Sequence, residues 1–253
     1  MNRVSAMKRL LIASLTCFSC LAASAASMTL NGTVRDFNSD GFNFEGAIVS
    51  GSGWVNPTIP SAGSPPTLTV TGSTHISNAG PGAFTNWYTN LANSMPYSLT
   101  LNEVSPGLYK YDNSSFFPID GLLLGNQGRS HNYHFTYSIA STFGYEAGTG
   151  QKFTFTGDDD VWVFFDKKLG VDIGGVHAGQ SRTVDLDLLL AGYVDGNYSF
   201  DFFFAERHTT HSSLKIETSL RFVPPNDVPE PGSLALMGLA LAGLGLLRKR
   251  TQA

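Results

Sequence analysis

From Leu214 to Phe222 the chain alternates strictly. Leu214, Ile216, Thr218, Leu220 and Phe222 share one face, and Lys215, Glu217, Ser219 and Arg221 share the other. A period of two belongs to a strand, so 214–222 is predicted as one half-buried strand. Two further segments, VWVFFD (161–166) and YSFDFFFAER (198–207), are denser in aromatic and β-branched residues. That density predicts central strands covered on both faces. Glycine-bearing stretches such as YEAGTGQ, DIGGVHAG and YVDGN separate these runs at short intervals, which favours turns over crossover helices. Residues 46–86, rich in Gly, Ser, Thr, Pro and Asn, read as loops around one predicted strand at TLTVTG (67–72). No long amphipathic helix emerges. The expectation is an all-β chain with a single β-sandwich over residues 26–222, a length ample for one core.

The two ends carry a different pattern. Arg3, Lys8 and Arg9 precede an apolar run from Leu10 to Ala23, and Ala23-Ser24-Ala25 is a small-x-small cleavage signal, so residues 1–25 read as a secretory signal peptide. Both cysteines, Cys17 and Cys20, lie inside it, which leaves the exported chain without thiols or disulfides. Residues 223–253 comprise a linker, VPEP (228–231), an apolar stretch from Leu234 to Leu247, and Arg248-Lys249-Arg250. Fourteen residues of helix reach roughly 21 Å against a hydrocarbon core of roughly 30 Å, short for a permanent span. This succession resembles the PEP-CTERM sorting signal of Gram-negative bacteria. The resemblance implies transient retention in the inner membrane through 234–247, recognition by an exosortase-type processing enzyme, and delivery to the exterior or cell surface.

Setting aside the three basic residues at each end leaves ten against 20 acidic residues, a net charge of −10. An acidic surface disfavours nucleic acid, whose phosphates need basic patches, and suits cations or neutral glycans. The acidic residues concentrate at GDDDVWVF (157–164), where Asp158, Asp159 and Asp160 stand at the mouth of a buried strand. Unit charges about 4 Å apart repel by about 1 kcal/mol in water and about 4 kcal/mol when partly buried, so water or a cation must compensate. The bland alternative is an exposed acidic turn whose aspartates cap local backbone N–H groups.

The order of blocks along the chain carries a second resemblance. LNGTVRDF (30–37), FFPIDG (116–121), HNYHFT (131–136), FTFTGDDDVWVF (153–164), GVDIGGVHAG (170–179) and FFFAERHTT (202–210) resemble the blocks of the fibro-slime domain. Two departures stand out: Asp166-Lys167-Lys168 replaces a turn that often contains Asn-Gly, and only Phe44-Glu45 survives of a block that follows RDF. Fibro-slime domains are similar to protective-antigen-type β-sandwiches. The resemblance implies that fold, with extracellular binding of polysaccharide. In flocculin-type relatives two consecutive aspartates at this turn hold calcium, which coordinates sugar hydroxyls. The matching positions here are Asp158 and Asp159, with Asp160 the third candidate ligand, and Asn132 or Asn197 as guesses for a completing asparagine. Calcium wants several hard oxygens, and adjacent carboxylates repel less when they share it.

Other candidates weigh less. In DFNSDG, Asp36, Asn38, Asp40 and Gly41 occupy calcium-loop positions, but position twelve is Ala47 where a bidentate Glu belongs; Asx-turn chemistry explains the same residues. His177, His208 and His211 could meet Asp172 and Glu206 in space, yet no metal spacing is present, and turn hydrogen bonding is the preferred reading. Arg207 beside Glu206 reads as a structural ion pair. Trp54 and Trp87 are candidate sugar contacts because aromatic faces suit pyranose rings, although core packing is the commoner fate. No G-x-S-x-G elbow, phosphate loop or exported cysteine appears, so an enzyme is not expected, with two-carboxylate glycoside hydrolysis the remaining rival. A structural exopolysaccharide-matrix protein without a specific ligand is the other alternative.

Overall fold

A computed structural model describes residues 26–40, 43–80 and 82–223. The predicted signal peptide, the predicted linker, the apolar segment 234–247 and its predicted helix lie outside the described residues. Among these residues, no helix is long and apolar enough to cross a membrane.

The strands are β1 (Ser27–Asp36), β2 (Ser50–Gly51), β3 (Ser94–Ser105), β4 (Leu108–Asn113), β5 (Phe135–Tyr145), β6 (Lys152–Gly157), β7 (Asp160–Phe165), β8 (Lys168–Gly175), β9 (Gln180–Asp185), β10 (Gly196–Glu206), β11 (Leu214–Thr218) and β12 (Arg221–Val223). One short helix, α1 (Leu186–Leu189), is capped by Asp185, whose side chain accepts from the N–H groups of Asp187 and Leu188. The expected all-β class is observed. The ladder runs β2-β8-β7-β10-β5-β1-β3-β4-β11-β6-β9, with β12 pairing β5 beside this path, and every pairing is antiparallel. The sheet curls until its ends face each other. Phe153 and Phe155 of β6 pack against Phe165, Phe200 and Phe202 of β7 and β10, closing the main core.

β7 and β10 are covered on both faces, as their composition predicts. All six residues of β7 are buried. Val161, Val163 and Phe165 enter the main core, while Trp162 and Phe164 join a second core with Phe203 and Ala205 of β10. The cover over that outer face is supplied by loop residues, Phe37, Phe44, Trp54, Ile59, Phe84, Trp87 and Tyr88. Hydrophobic area, at about 25 cal/mol per Å², holds this long irregular segment down. The β7–β8 turn consists of Asp166 and Lys167, both at positive φ (46° and 69°), as a two-residue hairpin of matching twist requires.

Two sequence expectations change. Residues 214–222 keep their alternation but break into β11 and β12, which pair different strands. Thr218 Oγ1 donates to Lys152 O and accepts from Leu220 N, and Ser219 N donates to the same carbonyl, so the chain crosses between the two halves there. TLTVTG forms no strand beyond an isolated bridge between Val55 and Leu68. Thr69 Oγ1 donates to Gly53 O and accepts from Gly72 N, so local side-chain bonds replace a ladder.

Candidate functional site

Asp158 and Asp159 form the connection between β6 and β7, and Asp160 opens β7. Asp159 sits in the left-handed region (φ 54°), which Asp tolerates better than most residues. The turn sends the three carboxylates apart. Asp160 points inward, fully buried: its Oδ1 accepts from Gly175 N at 2.6 Å, and its Oδ2 from Arg207 Nε at 2.5 Å. Asp159 accepts from His177 N at 3.2 Å and from Arg207 N at 2.8 Å. Asp158 accepts only one hydrogen bond among the described residues, from Ser213 Oγ at 2.9 Å.

Arg207 is therefore the cation that compensates this corner from within. It also donates through Nη1 to Asn43 O and lies 5.4 Å from the Trp87 ring, a cation–π distance. The expected pairing with Glu206 is not formed, because successive strand residues point to opposite faces. Glu206, 0% exposed, faces Asp159 instead. Its Oε1 accepts weakly from His208 N at 3.3 Å, and its Oε2 has no hydrogen-bond partner. Burial first, then the facing carboxyl, pushes Glu206 up; burial and then Asp160 push Asp159 up to about 6. Only a shared proton or a shared cation lets two such carboxyls approach.

Asp158 and Asp159 border a cavity of about 500 Å³, together with His177, His208, His211 and Lys215. The loop after β10 and the β8–β9 connection bring these histidines to the rim, a gathering that the sequence reading set aside in favour of turn chemistry. Asp172 stays away, accepting from Gly53 N. A further participant, Glu45, accepts from His134 Nε2 at 2.9 Å and from Thr209 Oγ1, tying the surviving Phe44-Glu45 pair to the loop after β10.

The oxygens of Asp158 and Asp159, backed by the unpartnered Oε2 of Glu206, are hard ligands that fit calcium. Asp160 is corrected as a ligand, since it is 0% exposed, is held by the buried Arg207 guanidinium and, unlike Asp158 and Asp159, does not line the cavity. Asn132 is engaged with Asp36 and Gly125 O, and Asn197 stands at the opposite end of β10 from Glu206, so neither completes the corner. Among the described residues no three His, Cys, Asp or Glu side chains form a metal cage. A cation here would thus keep open coordination positions. In DFNSDG, Asp36 is buried and accepts from Leu124 N and Asn132 Nδ2, bracing a loop.

Trp54 and Trp87 are corrected as sugar contacts. At 3% and 0% exposure they belong to the second core. Trp54 stacks on His75 and lies over the glycines of β2 and β8, and Trp87 Nε1 donates to Gly82 O.

Residues 227–250 match the PEP-CTERM protein-sorting motif. The motif is an export address, consistent with the apolar-then-basic order of this segment. The chain is also similar to Dictyostelium discoideum proteins: psiB, 35% identical over 225 residues covering 78% of this chain and 40% of psiB, and psiD, 47% identical over 137 residues covering 51% and 26%. Protein psiQ is 41% identical over 164 residues, covering 57% of this chain and 16% of psiQ. The chain thus spans well under half the length of these curated relatives. Among solved structures, a PA14 sugar-binding domain from an RTX adhesin has a TM-score of 0.34 at 11% identity, covering 78% of this chain and 91% of that one. The PA14 domain of the antifreeze protein MpAFP has a TM-score of 0.30 at 12% identity, covering 82% and 88%. Those scores are too low to transfer a strand order or a site.

Proposed function

We propose that this chain is an exported β-sandwich module that recognises extracellular polysaccharide through a calcium ion held by Asp158 and Asp159. The observation that carries the reading is the acidic corner itself. Two carboxylates border a cavity large enough for a sugar, and an unpartnered buried carboxylate oxygen stands behind them. Calcium bound there would neutralise the corner and offer coordination positions to vicinal hydroxyls. The remaining work falls to the chain's own groups: Arg207 fixes Asp160 and orients Asp159 through its N–H, Ser213 orients Asp158, and the histidines and Lys215 on the rim supply donors toward a glycan. The sorting motif supports action outside the cell, with an exosortase-type enzyme and the inner membrane met in transit. The fibro-slime resemblance supports a polysaccharide partner and a place in a surface matrix.

Hydrolysis fits this corner poorly. Asp159 and Glu206 are buried, at 2% and 0% exposure, and so do not flank a glycosidic bond as the carboxyl pair of glycoside hydrolysis must. The test is glycan-array binding of the full chain in calcium and in chelator. Binding of at least one polysaccharide fragment that disappears in chelator is expected. Equal binding in both conditions contradicts the calcium reading, and absence of binding in both leaves a structural matrix role.

A further inference from the structure

A second polar cavity lies on the outer face of β1, β5 and β10, under the loop that carries Gly63. Its volume is about 310 Å³, and it shares no lining residue with the aspartate corner. Asn31, Gly63 and Ala140 at its edge are exposed. Three charged or polar side chains line it from below: Arg35, Tyr88 and Asp201, at 7%, 6% and 1% exposure. Each leaves a buried polar atom without a hydrogen-bond partner, namely Arg35 Nε, Tyr88 Oη and Asp201 Oδ2, the last with the equally unpartnered Ser199 Oγ as its neighbour. Their other bonds hold them in place. Arg35 Nη1 donates to Thr33 O and Ser138 Oγ, and Asp201 Oδ1 accepts from Gly63 N at 2.7 Å.

Buried polar atoms are nearly always hydrogen-bonded, and three orphans on residues that line one cavity point to a guest that supplies the missing partners. The guest's chemistry follows from the walls. A guanidinium and a carboxylate together favour a ligand without net charge, and the orphans require both donors and acceptors from it. The volume lies at the low end of the roughly 300–1,000 Å³ of ligand pockets. Small, neutral and rich in hydroxyls describes one sugar ring. We propose that this cavity is a second saccharide site taking a single neutral ring, with Asp201 Oδ2 accepting from its hydroxyls and Arg35 Nε and Tyr88 Oη donating to them. The competing occupant is water, of which the space holds about ten molecules.

Asp201 also provides its own folding control. Burial pushes its pKa up to about 6, against the Gly63 N–H and the Ser199 hydroxyl, which favour the charged form. The groups lining the cavity with it are Arg35 and Tyr88. With the folded value above the ordinary one, its contribution to stability is present at low pH and lost as pH rises through about 6. Asp201→Asn should therefore melt above wild type at pH 8, with the gap closing below pH 6. A variant that is more stable yet binds less cannot have lost binding through unfolding.

The experiment is saturation-transfer NMR and calorimetry on the full chain with D-glucose, D-galactose, D-mannose and N-acetyl-D-glucosamine as probes. Expected is saturable binding of at least one sugar, weakened at least about tenfold by Tyr88→Phe, which removes a hydroxyl, and by Asp201→Asn, which puts an amide donor where the Oδ2 acceptor stood. The same binding should survive Asp158→Asn with Asp159→Asn, which separates it from the calcium corner. Failure of all four sugars to bind identifies a hydrated void and overturns the proposal. So does binding that only the Asp158 and Asp159 changes abolish.

Discussion

Replacing Arg207 with methionine should destabilise the chain by about 3–5 kcal/mol, because it strands Asp160, fully buried, without a counter-charge. For a domain of this size that corresponds to a fall in Tm of roughly 10 °C. The aliphatic stem of methionine replaces much of the arginine's packing near Trp87, so the loss reports mainly on charge. Adding Asp160→Asn should restore part of it, since removing both members of a buried pair is far milder than removing one. Denaturant unfolding of the single and double variants decides this. A double variant no more stable than Arg207→Met alone would mean that Arg207 acts through Asn43 and Trp87 instead of Asp160.

Gly175→Ala should have an effect of comparable size. Gly175 closes β8 at φ +101°, and a Cβ there would lie 1.8 Å from the carbonyl oxygen of Val49 and 2.8 Å from the Trp54 ring. The backbone oxygen belongs to the loop leading into β2 and cannot swing aside as a side chain can. Strain of a residue in such a conformation alone amounts to about 1–3 kcal/mol, and the clash adds to it. The Gly175 N–H is also one of two donors that hold Asp160, so the aspartate corner loosens with it. The expected result is a loss of at least about 2 kcal/mol in denaturant unfolding. A midpoint indistinguishable from wild type would show that β2 and its loop adapt freely around β8.

Much of this architecture can be read from local pattern. β7 over 161–165 and β10 over 202–205 announce themselves through apolar runs, because burial on both faces leaves no polar period there. The break between β11 and β12 is invisible for the opposite reason: Ser219 and Leu220 preserve the alternation while the hydrogen-bond partners change. The loop segment 46–86 gives no sign that Trp54 seals the outer face of β7 and β10, since that burial depends on strands distant in sequence. Glycines are the one available signal there, as Gly51, Gly174 and Gly175 are what the Trp54 ring lies against. Within GDDDVWVF, the turn at Asp159 (φ 54°) separates Asp160, facing Arg207, from its neighbours at the cavity, where strand alternation would have grouped Asp160 with Asp158. Glu45 and the rim histidines meet only after folding. Arg35, Tyr88 and Asp201, from β1, a loop and β10, share no motif at all.

The sharpest test of the calcium corner is calorimetric titration of calcium into the full chain and into the Asp158→Asn, Asp159→Asn variant. One ion should bind the wild-type chain, and at about one hundred times its Kd it should stabilise the fold by about 2.7 kcal/mol. Neither heat nor stabilisation should remain in the variant. Undiminished binding by the variant, or no binding by wild type, would contradict the account and leave Arg207 to counter the corner's charge.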